Sequence, residues 1–144
     1  MKYFEIPIKL LSKNSDIPTR YRINEWYDLR VPRDIELMPG EYIEVPLGIA
    51  MKLPEGYEAL VVPRSSTFKR FRIIAANSIG VIDSAYSGNE DEWHFLVFSF
   101  SHMVIPEGSR ICQFRLIECT PGISFKVVDN LESENRGGIG STGK

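Results

Sequence analysis

Alternating apolar residues in one stretch constrain the fold of this chain more than any other feature. Every odd position from 43 to 53 carries an apolar side chain. These six residues are Ile43, Val45, Leu47, Ile49, Met51 and Leu53. A period of two predicts a half-buried β-strand, and Pro46 or Gly48 predicts a bend within it.

Shorter apolar runs predict four further strands. They cover residues 58–62, 95–100, 111–117 and 125–128. The run at 95–100 is almost continuously apolar, which predicts burial on both faces of that strand. Proline and glycine mark tight turns at 38–41, 54–56 and 106–108, because proline presets φ and glycine accepts a positive φ.

The pattern of elements predicts the fold class. Only residues 66–71 suggest a helix, of one or two turns. Short strands separated by turns predict an all-β fold, a jelly-roll-like barrel or sandwich. The length of 144 residues suits one domain with a substantial core. We expect a β domain over residues 1–131 and a flexible, glycine-rich arm over residues 132–144.

The charge balance limits the possible partners. The formal net charge of -2 gives no long-range attraction toward nucleic acid or anionic membranes. No apolar run reaches the length of a membrane span, and residues 1–9 lack the apolar segment of a signal peptide. We therefore expect a cytoplasmic protein that binds neither nucleic acid nor membrane. A phosphate ligand would have to be held by a local cluster of residues.

The cysteines predict neither a disulfide nor a zinc site. Cys112 and Cys119 fall in one predicted strand, on opposite faces and roughly 23 Å apart, so they cannot pair within it. The only histidines are His94 and His102, and no Cys-x-x-Cys is present.

Two segments contain candidate ligand-binding residues next to predicted strands. Asp28 lies among apolar residues and, taken alone, is typical of a turn or an edge strand. Arg64, Ser65 and Ser66 follow the end of a strand and open the short helix. Either serine suits a helix cap, and an arginine beside a helix N-terminus also suits an anion.

A third segment spans residues 77–88. Its apolar run ends at Asp83, with Tyr86 three residues later. The aspartate suits a turn former, or a general base held rigidly by flanking strands. The tyrosine suits packing within the hairpin, or a flat surface for a sugar.

Two further segments add polar groups. Gln113 lies within an apolar strand and requires hydrogen-bond partners, from the core or from a ligand. Residues 136–143 contain four glycines, two hydroxylic residues and an arginine. Glycine backbone amides and a guanidinium suit phosphate oxygens, although a solvated disordered terminus has the same composition.

In this order, the segments resemble the five motifs of the trimeric deoxyuridine triphosphatase (dUTPase) family. The resemblance covers residues 27–143. Its most specific pieces are Pro-Arg-Ser-Ser at 63–66, Gly-Val-Ile-Asp-x-x-Tyr-x-Gly at 80–88, Arg-Ile-x-Gln at 110–113 and Arg-Gly-Gly-x-Gly-Ser-Thr-Gly at 136–143. Each piece alone is a weak signal, but their joint occurrence is specific.

The resemblance implies a fold, an assembly and an activity. It implies a jelly-roll-like fold of the dUTPase β-clip type and a homotrimer with active sites shared between subunits. The family hydrolyses dUTP to dUMP and pyrophosphate, which keeps uracil out of DNA. The implied cofactor is Mg²⁺, bound mainly by the triphosphate of the substrate.

The resemblance also implies roles for single residues. Asp83 would activate the water that attacks the α-phosphate in line. Tyr86 would pack under the deoxyribose and exclude a 2′-hydroxyl, while Asn77 and the backbone at Ile82 would recognise uracil. Asp28 would meet the magnesium ion through water. The other substrate-binding residues would be Arg64, Ser65, Ser66 and Gln113 in the β domain, and Arg136, Gly138, Ile139, Ser141 and Thr142 in the arm.

The chain departs from the family pattern near the base. Ile139 lies where the family commonly has an aromatic residue that stacks on uracil, and isoleucine offers no π-face. Residues 89–95 are acidic and aromatic where much of the family is shorter, and Ala85 replaces a frequent aspartate. We hypothesise that Trp93 or His94 supplies the stacking surface. The alternative is that Trp93 packs in the core and His94 is solvated.

Two rival functions share parts of this pattern. A dCTP deaminase has the same fold and an Arg-Ser-Ser motif, but the residues around Asp83 follow the dUTPase pattern. A trimeric regulatory protein switched by nucleotide occupancy would also use an arm that orders on its ligand.

Overall fold

The structure is a computed structural model that describes residues 3–23 and 25–143. These residues form short antiparallel strands and a single helix, which confirms the all-β prediction. The strands are β1 (Ile8–Leu10), β2 (Tyr27–Arg30), β3 (Ile35–Leu37), β4 (Tyr42–Pro46), β5 (Ile49–Met51), β6 (Tyr57–Pro63), β7 (Ile73–Ala75), β8 (Gly80–Ile82), β9 (His94–Ser99), β10 (Met103–Ile105) and β11 (Arg110–Glu118), and the helix is α1 (Thr67–Phe71). Within the described ranges, no helix has the length and apolar character needed to cross a membrane.

The strands pair into four small sheets. The largest has the order β2-β11-β6-β8, the next β4-β9-β7, and two pairs are β1-β5 and β10-β3. Strand β11 is central, since it pairs with β2 on one side and β6 on the other. In this register Gln113 lies opposite both Asp28 and Val62. Residues far apart in sequence are thereby brought to one sheet.

Buried apolar side chains from several strands form one hydrophobic core, whose removal from water stabilises the fold. The largest fully buried side chains include Trp93, Leu29, Leu37, Leu47, Ile49 and Ile111.

The predicted bend in the 43–53 stretch is confirmed. Strand β4 ends at Pro46 and β5 begins at Ile49, with Gly48 at a φ of 70°. A Cβ at Gly48 would lie 2.9 Å from the Cβ of Pro32, so only glycine fits this bend without strain. The half-buried alternation holds only at the two ends of the stretch. Val45, Leu47, Ile49, Met51 and Leu53 are all buried, but Pro46, Gly48 and Ala50 between them are buried as well, so the middle of the stretch is covered on both faces.

Most of the other predicted elements are confirmed. Strands β6 and β11 cover the predicted runs at 58–62 and 111–117, and β9 covers the run at 95–100 without its last residue. Helix α1 covers the predicted helix without its first residue. Each predicted turn closes with a backbone hydrogen bond. These bonds run from Glu41 N to Met38 O at 3.2 Å, from Tyr57 N to Pro54 O at 3.2 Å and from Ser109 N to Pro106 O at 3.1 Å.

Two expectations about strands are wrong. In β9, Phe95 and Val97 are buried while Leu96 and Phe98 are only half-buried, because the sheet β4-β9-β7 packs one face on the core. Residues 125–128 form no strand, and Phe125 is 88% exposed. A strand requires a hydrogen-bonded neighbour, and among the described residues none pairs with this segment.

Candidate functional site

Three predicted site residues and one further arginine come together where β2, β11 and β6 lie side by side. Asp28 lies in β2, Arg64 follows β6, and Arg110 and Gln113 lie in β11. We call these four residues the arginine cluster. Asp28 is part of β2, which lies at the edge of its sheet, so its interpretation as an edge-strand residue is confirmed and its interpretation as a turn residue is wrong.

One carboxylate holds the two arginines of the cluster. Oδ1 of Asp28 lies 2.9 Å from Nε of Arg64, and Oδ2 lies 3.3 Å from Nη1 of Arg110. The Arg64 side chain is 18% exposed and that of Asp28 is 16% exposed, so little water screens this pair. Nη1 of Arg64 also donates to the carbonyl of Arg110 at 3.3 Å. The guanidinium of Arg64 is therefore fixed before any ligand arrives.

A buried threonine fixes the backbone at Arg64. The hydroxyl of Thr67 accepts the Arg64 N–H at 2.8 Å and donates to the carbonyl of Ile111 at 2.9 Å. Ser66 occupies the N-cap position of α1 but makes no side-chain cap hydrogen bond, so the expected serine cap is wrong for Ser66. Among residues 3–23 and 25–143, the hydroxyls of Ser65 and Ser66 make no hydrogen bond, and Thr67 makes the connection to β11.

The arginine cluster and the cysteine beside it contain polar groups but no reactive nucleophile. Nε2 of Gln113 donates to the carbonyl of Pro63 at 3.1 Å, which gives the glutamine a partner within the protein. Complete burial, with the nearby Asp28 charge, raises the pKa of the Cys112 thiol, against a smaller lowering effect of Arg64. A buried thiol that keeps its proton is a poor nucleophile.

The second group of predicted residues lines an open depression of about 310 Å³ beside β8 and β9, which we call the hairpin depression. The predicted residues on its wall are Asn77, Ile82, Asp83, Tyr86, Trp93 and His94. Glu44 and Glu92 lie on the same wall. Because β8 pairs with β6, the turn that follows β8, with Asp83 and Tyr86, lies at this depression.

Asp83 is exposed at the depression and also shapes its own turn. Its Oδ1 accepts the N–H of Ala85 at 2.8 Å and that of Tyr86 at 3.2 Å. Oδ2 has no hydrogen-bond partner among residues 3–23 and 25–143. The turn-forming interpretation is thus confirmed, and it leaves one carboxylate oxygen available for a proton.

Tyr86 is held at its phenol. The hydroxyl donates to the carbonyl of Glu92 at 2.8 Å. Partial burial, followed by the charges of Asp91, Glu92 and Glu44, raises the pKa of Tyr86. The phenol therefore remains a donor at neutral pH.

The two candidates for base stacking differ sharply. Trp93 has no exposed surface, and its ring packs edge-on against Phe114 with centroids 5.2 Å apart. A ring without accessible surface cannot stack on a base, so Trp93 packs in the core as the alternative predicted. The His94 side chain is 34% exposed, and its Nδ1 lies 2.9 Å from the carbonyl of Glu92. Phe95 is buried.

One chain does not bring the arginine cluster and the hairpin depression together. Ile82 pairs with Ala59, so Asp83 lies near the start of β6, whereas Arg64 follows its end. The intervening six residues of strand correspond to about 20 Å. A single chain therefore carries two half-sites at opposite ends of one strand.

The predicted arm residues contact neither half-site through hydrogen bonds. Within the described part of residues 132–144, the hydrogen bonds join only residues of 130–143, such as Ser141 N to Gly138 O at 3.1 Å. Arg136, Gly138, Ile139, Ser141 and Thr142 are all exposed. Lys144 lies outside the described residues.

Sequence reasoning missed three residues around these half-sites. Arg110 was present in the Arg-Ile-x-Gln piece, and Thr67 directly follows the two serines. Both signals were available from position alone. Glu92 gave no signal beyond its place in an acidic stretch.

Solved structures show which known fold this chain shares. The dUTPase of Staphylococcus bacteriophage 80alpha, determined with dUPNHPP, superposes with a TM-score of 0.79 at 22% identity, over 97% of this chain and 99% of that chain. A mutant dUTPase from phage phi11 of S. aureus, described with a coordinated structural Mg(II) ion, superposes with a TM-score of 0.75 at 20% identity, over 90% of this chain and 99% of that chain. The fold is the jelly-roll-like β fold of these enzymes, as predicted.

Sequence comparison gives the family. The dUTPase family model matches residues 13–143. The chain is 45% identical over 139 residues to the SPbeta prophage-derived deoxyuridine 5'-triphosphate nucleotidohydrolase YosS of Bacillus subtilis (strain 168), covering 96% of this chain and 98% of that relative. This chain belongs to the dUTPase family.

Proposed function

We propose that this chain hydrolyses dUTP to dUMP and pyrophosphate, with Asp83 as the base that activates the attacking water. One oxygen of Asp83 is fixed by two backbone amides, and the other is open at the hairpin depression. This observation carries the assignment, because a general base must be both rigid and accessible. General-base action of this kind contributes about 10²–10⁴-fold to rate. The reaction would limit uracil incorporation into DNA and supply dUMP.

The two half-sites suit the two ends of a nucleotide. The hairpin depression would hold the base and sugar, with Tyr86 under the deoxyribose and with Asn77 and the backbone at Ile82 on the uracil. Of the two stacking candidates, His94 alone has an accessible ring, and we assign it to the base edge.

The phosphates would bind at the arginine cluster and the arm. The fixed guanidinium of Arg64 is suited to phosphate oxygens, and Gln113 lies in the same cluster. The hydroxyls of Ser65 and Ser66 adjoin it. The arm would close over the β- and γ-phosphates through Arg136, Ser141 and Thr142, with Gly138 and Ile139 between them. Closure of a mobile arm would exclude water at the moment of reaction.

The residues present fit magnesium only as an ion held mainly by the substrate. In the described ranges, no three His, Cys, Asp or Glu residues come close enough to hold a metal ion. Both oxygens of Asp28 already face guanidinium groups, so Asp28 would meet the ion through water rather than directly. When bound, the ion would neutralise charge on the triphosphate.

The assembly we propose is a homotrimer with shared active sites. The separation of about 20 Å between the half-sites along one strand supports an assembly in which a second copy completes each site. Exposed apolar residues near the C-terminus also favour an assembly that covers them. These are Ile123, Phe125, Val127 and Leu131. Two unpaired cysteines agree with a reducing compartment, and we place the protein in the cytoplasm.

The first experiment tests the activity and the base. Pyrophosphate release from a panel of deoxynucleoside triphosphates with magnesium should show a preference for dUTP. Asp83→Asn should lose about 10²-fold or more in kcat while keeping its fold. Equal turnover by the two proteins would remove Asp83 from this role. Ammonia release from dCTP would instead indicate the deaminase.

The second experiment tests the shared site by complementation. Asp83→Asn and Arg64→Met are each expected to be nearly inactive alone. Co-expressed chains that assemble at random would place an intact Asp83 opposite an intact Arg64 in about a quarter of the sites, and activity should return to that extent. A site contained within one chain would give no recovery.

A further inference from the structure

Glu92 connects the hairpin depression to the rigid core. Its Oε2 accepts the N–H of Gly48 at 2.9 Å. Gly48 forms the bend between β4 and β5 and is confined by Pro32. Two backbone bonds flank this contact, from Leu47 N to Trp93 O at 2.9 Å and from Trp93 N to Ile49 O at 2.8 Å. The carboxylate is therefore the side-chain part of a fixed connection to the core.

Two side chains of the hairpin depression hydrogen-bond to the carbonyl oxygen of Glu92. The hydroxyl of Tyr86 donates to it at 2.8 Å, and Nδ1 of His94 lies 2.9 Å away. A carbonyl oxygen has two lone pairs and can accept both donors. The position of this one oxygen thus influences both aromatic rings on the wall.

The ring of Tyr86 is held at its two ends. Its backbone N–H donates to Oδ1 of Asp83 at 3.2 Å, and its phenol donates to the carbonyl of Glu92. A tyrosine phenol is protonated at neutral pH, and the raised pKa of Tyr86 moves its deprotonation further from that pH, so this second bond persists. The Asp83 turn fixes the backbone of Tyr86, and the carbonyl of Glu92 fixes the far end of its side chain.

We propose that Glu92 is a positioning residue for sugar selectivity, which holds the Tyr86 ring where it excludes a 2′-hydroxyl. The inference rests on the proposed place of Tyr86 under the deoxyribose. Without the bond to Gly48, the peptide between Glu92 and Trp93 is held only by the bond from Trp93 N–H to Ile49 O, so the carbonyl of Glu92 can tilt about that bond and the phenol moves with it. The ring then leaves room for a ribose.

Three substitutions of Glu92 separate the effect of side-chain length from the effect of charge. Glu92→Gln keeps the length and an acceptor oxygen but removes the charge, whereas Glu92→Asp keeps the charge and is one methylene shorter. Glu92→Ala removes both. Selectivity is the ratio of kcat/KM for dUTP to kcat/KM for UTP. It should fall about fivefold in the Asp and Ala variants, the factor for one ordinary hydrogen bond, and remain near wild type in Glu92→Gln.

A matched control and a coupling test make the result specific. Glu90→Ala removes an exposed carboxylate of the same loop and should leave the ratio unchanged. Because the effect passes through the phenol, Glu92→Asp should add little in a Tyr86→Phe background. Melting temperatures monitor folding. If Glu92→Ala does not fold, the selectivity of Glu92→Gln compared with that of Glu92→Asp still tests the inference.

Several results would overturn the inference. Unchanged selectivity in folded Asp and Ala variants would do so, as would a Gln variant as impaired as Asp. Fully additive effects with Tyr86→Phe would show that the phenol is not involved. Tyr86→Ala separates this inference from the proposed function. If it leaves selectivity unchanged, the role of Tyr86 fails as well. If it lowers selectivity while the Glu92 variants do not, only the role of Glu92 fails.

Discussion

Replacing Asp28 with asparagine tests whether one carboxylate organises the arginine cluster. The substitution keeps the size of the side chain and its place in β2. It removes the charge that faces Nε of Arg64 at 2.9 Å and Nη1 of Arg110 at 3.3 Å. Two guanidinium groups would then remain without their shared counter-charge.

The expected loss of stability follows from the exposure of each pair. Breaking a buried ion pair costs about 3–5 kcal/mol, and the Asp28–Arg64 pair, with both side chains less than a fifth exposed, approaches that case. The Arg110 side chain is 42% exposed, so its pair contributes at most about 1 kcal/mol. Asparagine keeps one oxygen that accepts from Arg64. We therefore expect a loss of about 2–3 kcal/mol in the free energy of unfolding.

Urea unfolding at one fixed protomer concentration measures this loss, since the stability of an assembly depends on concentration. Glu36→Gln is the matched control, because Glu36 bonds His102 at 3.1 Å with both side chains largely exposed. It should change stability by less than about 0.5 kcal/mol. A double-mutant cycle of Asp28→Asn with Arg64→Met should give a coupling of about 2 kcal/mol. Additive effects, or an Asp28→Asn variant as stable as the control, would refute the reasoning.

Three further predictions address the bend, the thiols and the buried indole. Gly40→Ala should cost about 1 kcal/mol for its positive φ alone, whereas Gly48→Ala should cost about 3 kcal/mol because its Cβ also meets Pro32; equal costs in urea unfolding would contradict this. Ellman's reagent should modify one thiol per native chain, the exposed Cys119, because burial raises the pKa of Cys112; Cys119→Ser should abolish the reaction, and rapid loss of both thiols would argue against it. Trp93→Phe should lower the melting temperature and leave the KM for dUTP unchanged, and a raised KM at unchanged stability would reinstate stacking.

Local patterns in the sequence were sufficient for much of the fold. The bend in the 43–53 stretch, the proline–glycine turns and the runs that became β6, β9 and β11 depend on neighbouring residues only, and these are confirmed. The half-buried alternation at 43–53 is not, because tertiary packing covers both faces of residues 45–51. Strands of three or four residues, such as β1 and β3, are too short for periodicity to identify. The prediction for 125–128 was wrong because apolar alternation shows a capacity to pair, and pairing also needs a neighbour.

The sequence determined which chemical groups this protein carries and their order along the chain, because motifs and periodicity are local properties. The tertiary structure alone decided which groups meet. Asp28 and Arg110 are 82 positions apart and touch because β2 pairs with β11. The ring of Trp93 cannot contact the base as hypothesised, because it packs against Phe114 in the core. The register of β6 with β8 set Asp83 about 20 Å from Arg64. Strand pairing is a long-range property that no single segment contains, and it divided one set of motifs into two half-sites.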